Sequence, residues 1–353
     1  MAAAARAAGV RPVVIDCFGD ADTHACAAEV VSLPTHPAGW IRIAHARTVM
    51  REVWARYPRA SLVWGGGMEG YPRLLGGWAP LGAVLGCPIE AVLRLTNPVQ
   101  RAVLLCELAI PHPEISLLPR AELGWLCKRR GGAGGTHVYR YSPGARFAAT
   151  HYLQREISGQ SYSLAFVATV EAALPLSFNA QLNWQPNSKF PFRYGGAVVT
   201  PLPASLTAEV VAYATRIVRR CGLRGLCGMD FIVDAEGAVS VLEVNPRPTA
   251  TFDLGITPAR AFSAHLAACG GTPRPTLVPC TAVRGHLIAY AADAIRIANS
   301  LDWPPWTADR PRGGVTVPAA APLCSITAEG SSEAAVRELL AVRLTALESL
   351  FAV

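Results

Sequence analysis

Lysine is nearly absent from this chain: of its 32 basic residues, only Lys128 and Lys189 are lysines. Arginine therefore serves wherever a surface charge suffices, and a retained lysine marks a position that wants a compact, flexible point charge rather than a planar fork. Charge is sparse overall, at 16% of residues against 51% hydrophobic. That balance excludes a disordered chain. Long apolar runs are missing too. The best of them, around 102–110, falls far short of the roughly 18–20 residues that a spanning helix needs, so no membrane association is expected. The alanine-rich start, MAAAARAAGVRP, has no apolar stretch of the kind a secretory signal carries.

The ten cysteines show no CxxC pair and no zinc-finger spacing. In a chain of 353 residues this argues against a disulfide framework and against structural zinc, and for a reducing cytoplasm. The formal net charge is +7, but no basic tract is interleaved with aromatics. Nucleic acid is thus a poorer partner than anionic small molecules.

The length suggests two or three lobes. Alternating short apolar runs and helical patterns over 10–110 predict an α/β lobe with a parallel sheet: strands at 13–17 and 61–64, helices at 45–57 and 98–108. Strands are expected at 123–128, 151–157, 162–170 and 175–184, and helices at 207–221, 258–269 and 332–351. A hairpin pairs 228–234 with 238–245. The boundaries follow as 1–110, 111–275 and 276–353, the last a strand and helix module. The glycine run 65–67 reads either as a ligand loop or as an eased turn.

The most informative stretch is GMDFIVDAEGAVSVLEVNPRP, 228–248. Asp230 and Glu243 stand in otherwise apolar strands, where lone carboxylates are costly. If DAEG closes a two-residue turn, Asp230 faces Val241 and lies diagonal to Glu243, on the face that Glu243 and Asn245 share. A bulge at Gly237 would shift the register by one and separate them. The first register makes an all-oxygen cluster suited to Mg²⁺, with Mn²⁺ as the alternative. The competing reading is an edge hairpin with solvated acids. Upstream, WLCKRRGGAGGTH delivers Lys128 to a loop holding Gly131, Gly132, Gly134 and Gly135, whose N–H groups can approach phosphate oxygens. With four glycines and no apolar anchor, that loop is expected to be mobile.

Taken together in order and spacing, Lys128 with its glycine loop, YLQREISGQSYS (152–163) and LEVNPRP resemble the ATP-grasp superfamily. The resemblance implies an α/β (α+β) ATP-grasp fold behind a Rossmann-like pre-ATP-grasp lobe, with ATP held between two antiparallel sheets. It implies that Lys128 and the four glycines clamp phosphates and that Gln154, Arg155, Glu156 and Ile157 form the adenine hinge. It assigns Asp230, Glu243 and Asn245 to the metal and Arg247 to the reacting phosphoryl group. The segments LVWGGGMEGYPRLL, LGCPIEAVLRLTNP, FRYGGAV and WPPWTADRPRGG further resemble ATP-grasp proteins of tetrahydromethanopterin-linked one-carbon pathways, relatives of tyramine–glutamate ligase in methanofuran synthesis. This implies an ATP-dependent carboxylate–amine ligase acting on small-molecule carboxylate and amine substrates, with a kinase or a non-catalytic ATP-binding regulator as alternatives. The early lid lysine common in that superfamily is missing from RLTNPVQRA, and either Arg94 or Arg101 could replace its charge. Arg193 is a candidate for a substrate carboxylate. Asp20 either lines the cleft with Asp22 or forms a turn, His137 and His151 pack locally, and Trp303 and Trp306 are structural cover. Arg247 is expected to matter for activity and not for stability.

Overall fold

The computed structural model describes residues 1–33, 41–78, 82–182, 189–272 and 275–351. The N-terminal lobe opens with α1 (Ala2–Ala7), β1 (Val13–Asp16), α2 (Ala21–Cys26) and β2 (Glu29–Ser32), followed by the helices α3 (Ile43–Arg56), α4 (Pro72–Trp78), α5 (Ile89–Thr96) and α6 (Pro98–Glu107). β1 pairs in parallel with β2, a strand that the sequence pattern did not single out. The strand expected at 61–64 shrinks to one parallel bridge, Leu62 to Val84. α5 and α6 are separate helices because Asn97 interrupts them. Its side chain accepts from the amides of Val99 and Gln100, and Pro98 takes the first helical position.

A small sheet follows, in the order β3 (Ile115–Ser116), β6 (His151–Arg155), β4 (Trp125–Arg129), β5 (Val138–Arg140). Its outer face carries a local core of Trp125, Cys127, Tyr141 and Leu153. The large sheet is built from β7 (Gln160–Ala168), β8 (Ala173–Gln181), β9 (Gly196–Val199), β10 (Gly225–Val233), β11 (Val239–Asn245), β12 (Val283–Tyr290), β14 (Thr307–Ala308) and β16 (Pro322–Gly330). Its order is β11-β10-β7-β8-β9-β12-β16-β14, and β13 (Ile295–Arg296) pairs apart with β15 (Thr316–Val317).

α7 (Ala204–Cys221) buries Val210, Ala214, Ile217 and Val218 on one stripe and stops at Gly222, whose φ of 64° makes a left-handed cap. That stripe joins Val92, Leu95 and Leu104 of the N-terminal lobe and Met229, Phe231 and Val241 of the hairpin in one core. α8 (Pro258–Cys269) packs on β10, and α9 (Glu333–Phe351) covers β12 and β16, with Trp303 and Trp306 against that core. All ten cysteines are free thiols. Among the described residues no helix is long and apolar enough to cross a membrane.

His265 of α8 ties the lobes together. At 1% exposure it accepts from the Leu226 amide through Nδ1 (2.9 Å) and meets the Leu85 carbonyl through Nε2 (3.1 Å). Burial pulls its pKa from 6.5 down to about 4, against the Leu85 bond, which favours the proton. The unfolded chain therefore takes up this proton first, so the contribution is full above 6.5 and is lost as pH falls toward 4. Melting curves across that window should show stability falling on acidification, with a shallower slope in His265→Asn.

Candidate active site

The hairpin reaches the expected parity by an unexpected route. Val233 pairs with Val239 and Phe231 with Val241, a one-residue shift from a two-residue turn. The shift comes at the turn, where Gly237 has a φ of 84°. A second irregularity between Asp230 and Phe231 restores the parity, and Asp230 pairs directly with Glu243. The diagonal pairing expected from sequence is thus replaced by a facing one. Two carboxylates on facing positions repel, and Asp230 responds. Its carboxyl is pushed up to about 7 by burial and then by the Glu243 charge, with Arg247, the Asn245 hydrogen bond and Lys128 pulling the other way. Asn245 Nδ2 and Gln181 Nε2 donate to the two Asp230 oxygens at 3.2 and 3.1 Å. Among the described residues no three His, Cys, Asp or Glu side chains gather into a metal cluster. Two carboxylates and an amide are hard oxygen donors with a surplus of negative charge, a set that would suit a magnesium ion.

The small sheet faces this hairpin. Lys128 is paired with Tyr152, and Leu126 with Gln154. Strand alternation therefore puts Lys128, Tyr152 and Gln154 on the face opposite the Trp125 and Cys127 core. Burial pulls the Lys128 ammonium down to about 8, and Arg101 adds to this, while Glu243 and Asp230 draw it back up. The same charges thus act on both sides of the cleft. Arg101 is 6% exposed and donates to the Leu95 carbonyl (3.1 Å) and the Tyr152 hydroxyl (3.4 Å). Arg94 points elsewhere, into a surface pair with Glu107. Of the two arginines left open by the sequence, Arg101 is the one beside Lys128.

The glycine loop has ties that its composition does not suggest. The Tyr194 amide donates to the Gly134 carbonyl at 3.0 Å, and Val138 N–H to Gly135 O at 3.1 Å. A side chain at Gly132 would strike the His137 ring, and one at Gly135, where φ is 75°, would overlap the Phe192 carbonyl. The loop therefore lies against segment 192–194, with backbone contacts standing in for the missing apolar anchors. His137 packs beneath it, as expected, and His151 bonds locally to Thr150.

In the hinge, Gln154 is 3% exposed on the cleft face. Arg155 lies on the other face, over the Trp125 ring with its NH1 on the Leu123 carbonyl. Glu156 pairs with Arg140, and both Glu156 and Ile157 fall beyond the end of β6. The Arg155 side chain thus turns away from the face that Gln154 presents, and the Glu156 carboxylate is taken up by Arg140. Asp20 caps α2, accepting from Thr23 N (2.6 Å) and Thr23 Oγ1 (3.0 Å), while Asp22 pairs with Arg310 Nε at 2.9 Å. The turn reading fits Asp20, whose oxygens cap the helix, whereas Asp22 lies inside α2 and reaches Arg310 of the C-terminal module. Arg193 lies 3.6 Å above the Tyr290 ring and donates to the Ala320 carbonyl. Both line a cavity of about 560 Å³ together with Lys189, Phe190, Leu344 and Glu348.

Arg247 departs furthest from expectation. Its Nε is 2.6 Å from Glu69, its NH2 donates to Asn245 Oδ1 (3.1 Å) and its NH1 to the Pro248 carbonyl (3.1 Å). With side chains 14% and 11% exposed, the Arg247–Glu69 pair joins two lobes, so Arg247 is structural as well as available to the cleft. Gln181 and Glu69 are the residues that sequence reasoning missed. Gln181 ends an ordinary sheet strand, and Glu69 is 178 residues from its partner; neither carries a local signal.

A lysine beside a glycine loop thus faces an acid–acid–amide set between two antiparallel sheets. A family profile described as the ATP-grasp domain matches residues 101–251, and the chain has an α+β ATP-grasp fold. ATP and Mg²⁺ are the cofactors that ATP-grasp enzymes use. Over 51 residues the chain is 51% identical to a D-alanine–D-alanine ligase of Oleidesulfovibrio alaskensis, a match covering 14% of this chain and 17% of that ligase. Among solved structures, a biotin carboxylase from Campylobacter jejuni in complex with β-γ-ATP superposes with TM-score 0.73 at 10% identity, covering 94% of this chain and 84% of that one. An L-amino acid ligase from Bacillus licheniformis gives 0.69 at 16% identity, covering 96% and 91%. At such identities the structural likeness speaks to the fold alone.

Gly135→Ala would force the loop off segment 192–194. A strained left-handed residue costs on the order of 1–3 kcal/mol. The Tyr194 amide should then exchange its hydrogen roughly ten- to a hundredfold faster than in the wild type, with the 228–245 hairpin unchanged.

Proposed function

We propose that this chain is an ATP- and Mg²⁺-dependent carboxylate–amine ligase. The observation that carries this reading is the convergence of Lys128 and Arg247 on the facing pair Asp230 and Glu243. Asp230, Glu243 and Asn245 would hold magnesium, which screens the phosphate charge. Lys128, Arg101 and the N–H groups of the 131–135 loop would cradle the phosphates, and Gln154 with the backbone of 155–157 would seat the adenine. The substrate carboxylate attacks the γ-phosphorus of ATP, ADP departs, and an amine displaces phosphate from the acyl phosphate to leave an amide. None of these steps requires a side-chain nucleophile; position and electrostatics suffice. Two of the similar proteins, a D-alanine–D-alanine ligase and an L-amino acid ligase, bear names of the same reaction class. Arg193 and Lys189, at the cavity beside Tyr290, would receive an acidic substrate. The motif resemblance favours a substrate pair from one-carbon cofactor biosynthesis, with glutamate or an arylalkyl amine as one partner.

The test is ADP release across a matrix of amino acids, amines, and pterin and furan precursors. Release that needs both a carboxylate and an amine supports the ligase. Release with a hydroxyl acceptor alone indicates a kinase, and tight Mg·ATP binding without turnover indicates a sensor.

Lys128→Ala should weaken Mg·ATP binding by about ten- to a hundredfold, the worth of one charge-assisted bond. Arg101→Met should act in the same direction. Arg94→Met should leave affinity unchanged, since an exposed pair with Glu107 contributes little. Calorimetric titration separates the three.

Arg247→Lys should lower turnover roughly a hundredfold, as loss of a transition-state donor does, with a melting temperature close to wild type. Arg247→Ala should in addition lose about 3 kcal/mol of stability, because Glu69 is left buried and unpaired. This revises the expectation that Arg247 matters to activity alone; denaturant midpoints of the two variants check it.

A further inference from the structure

Glu69 belongs to the glycine-rich segment 65–70 of the N-terminal lobe, in the short 3-10 turn Met68–Gly70. One carboxylate oxygen binds Arg247 Nε at 2.6 Å; the other, Oε2, is buried without a hydrogen-bond partner among the described residues. A carboxylate left half-satisfied is costly, and Glu69 is 11% exposed, so its position is set by the arginine rather than by solvent. The guanidinium is held on all three nitrogens, by Glu69, Pro248 and Asn245. Of its five N–H bonds this leaves two, one on each terminal nitrogen.

The same segment reaches the lid. A Cβ at Gly70 would stand 3.4 Å from the Gly131 carbonyl, and one at Gly66 would stand 3.6 Å from Arg247 NH1. The segment therefore fills the space between the first glycine of the phosphate loop and the arginine beside the metal set. At those distances a Cβ would make ordinary contact, so it is only at Gly67, where φ is 88°, that the run calls for glycine.

We propose that Glu69 is the positioning residue for Arg247 and that segment 65–70 is the third wall of the phosphoryl site. Glu69 binds the Nε edge and so stands behind the guanidinium, which keeps its own charge away from phosphate and leaves the two unused N–H bonds for the terminal phosphoryl group. Arg247 is in this way pre-set by the N-terminal lobe before nucleotide arrives. The proposal rests on the nucleotide reading of the cleft.

The experiment titrates the full chain calorimetrically with Mg·ADP and with the magnesium complex of adenylyl imidodiphosphate, which carries a third phosphoryl group. Wild type is compared with Glu69→Gln, Glu69→Asp, Arg247→Lys and the Glu69→Gln/Arg247→Lys double variant. Glu69→Gln keeps the shape and an acceptor oxygen and removes the charge. It should weaken the triphosphate analogue by about tenfold, the scale of a charge-assisted bond, and leave ADP affinity within about twofold. Glu69→Asp should lie between Glu69→Gln and wild type. In the Arg247→Lys background, Glu69→Gln should add nothing further to the loss. Equal weakening of both nucleotides, no weakening of either, or additive losses in the double variant would make Glu69 an interlobe tie and overturn the proposal. Absence of Mg·ADP binding by the wild-type chain defeats the nucleotide reading itself, and this proposal with it.

Discussion

Two carboxylates held opposite each other on an apolar hairpin are the constraint around which the rest of this molecule is arranged. Asp230 and Glu243 are register partners, and beneath them Met229, Phe231 and Val244 belong to the main core. Like charges in facing positions destabilise a strand pair, and burial on one side worsens the penalty. The neighbourhood offsets it. Two side-chain amides donate to Asp230, and the positive charges of Lys128 and Arg247 act on it from different elements. A divalent cation would complete what these groups begin.

That requirement explains the lobe arrangement. The N-terminal lobe, α7 and the hairpin share one continuous core, so the crossing from Glu69 to Arg247 lies within one packed body. The small sheet differs. Its outer core is four buried side chains with Phe147 against them, and its glycine loop meets the rest of the molecule through backbone contacts to 192–194. Regions held by few buried apolar contacts open at the lowest cost. Lys128 and its glycine loop thus sit on the more weakly anchored sheet and the facing carboxylates on the more strongly anchored one, a division that would let a ligand enter without disturbing the carboxylate register.

Much of this could be read from residue order. The helix at 258–269 and the hairpin at 228–245 appear close to where their patterns put them, because each rests on local apolar periodicity. Lys128 stood out against an arginine background. What was not legible depended on distant partners. The sequence offered parity or its loss at Gly237, and the chain takes the shift there and then reverses it beside Asp230, a correction with no mark in composition. Strand 61–64 has the right residues, yet its neighbour supplies one bridge. Arg155 looked like a hinge contact until strand alternation and the Trp125 ring turned it outward.

The pair Arg94 and Arg101 shows why such ambiguity arises and how the fold resolves it. Seven residues apart, they would share a face of an unbroken helix. Asn97 and Pro98 break it, and the two arginines part company. Arg101 is buried where it serves the Leu95 carbonyl and the Tyr152 hydroxyl together, a demand for donors in fixed directions that a guanidinium meets better than an ammonium. Lys128 faces the opposite demand. It emerges from a central strand between a glycine loop and two carboxylates, where a compact charge with rotating donors can follow a phosphate as the loop settles. The buried arginine at 101 and the lysine at 128 thus carry positive charge on neighbouring elements in two forms, each set by the space around it.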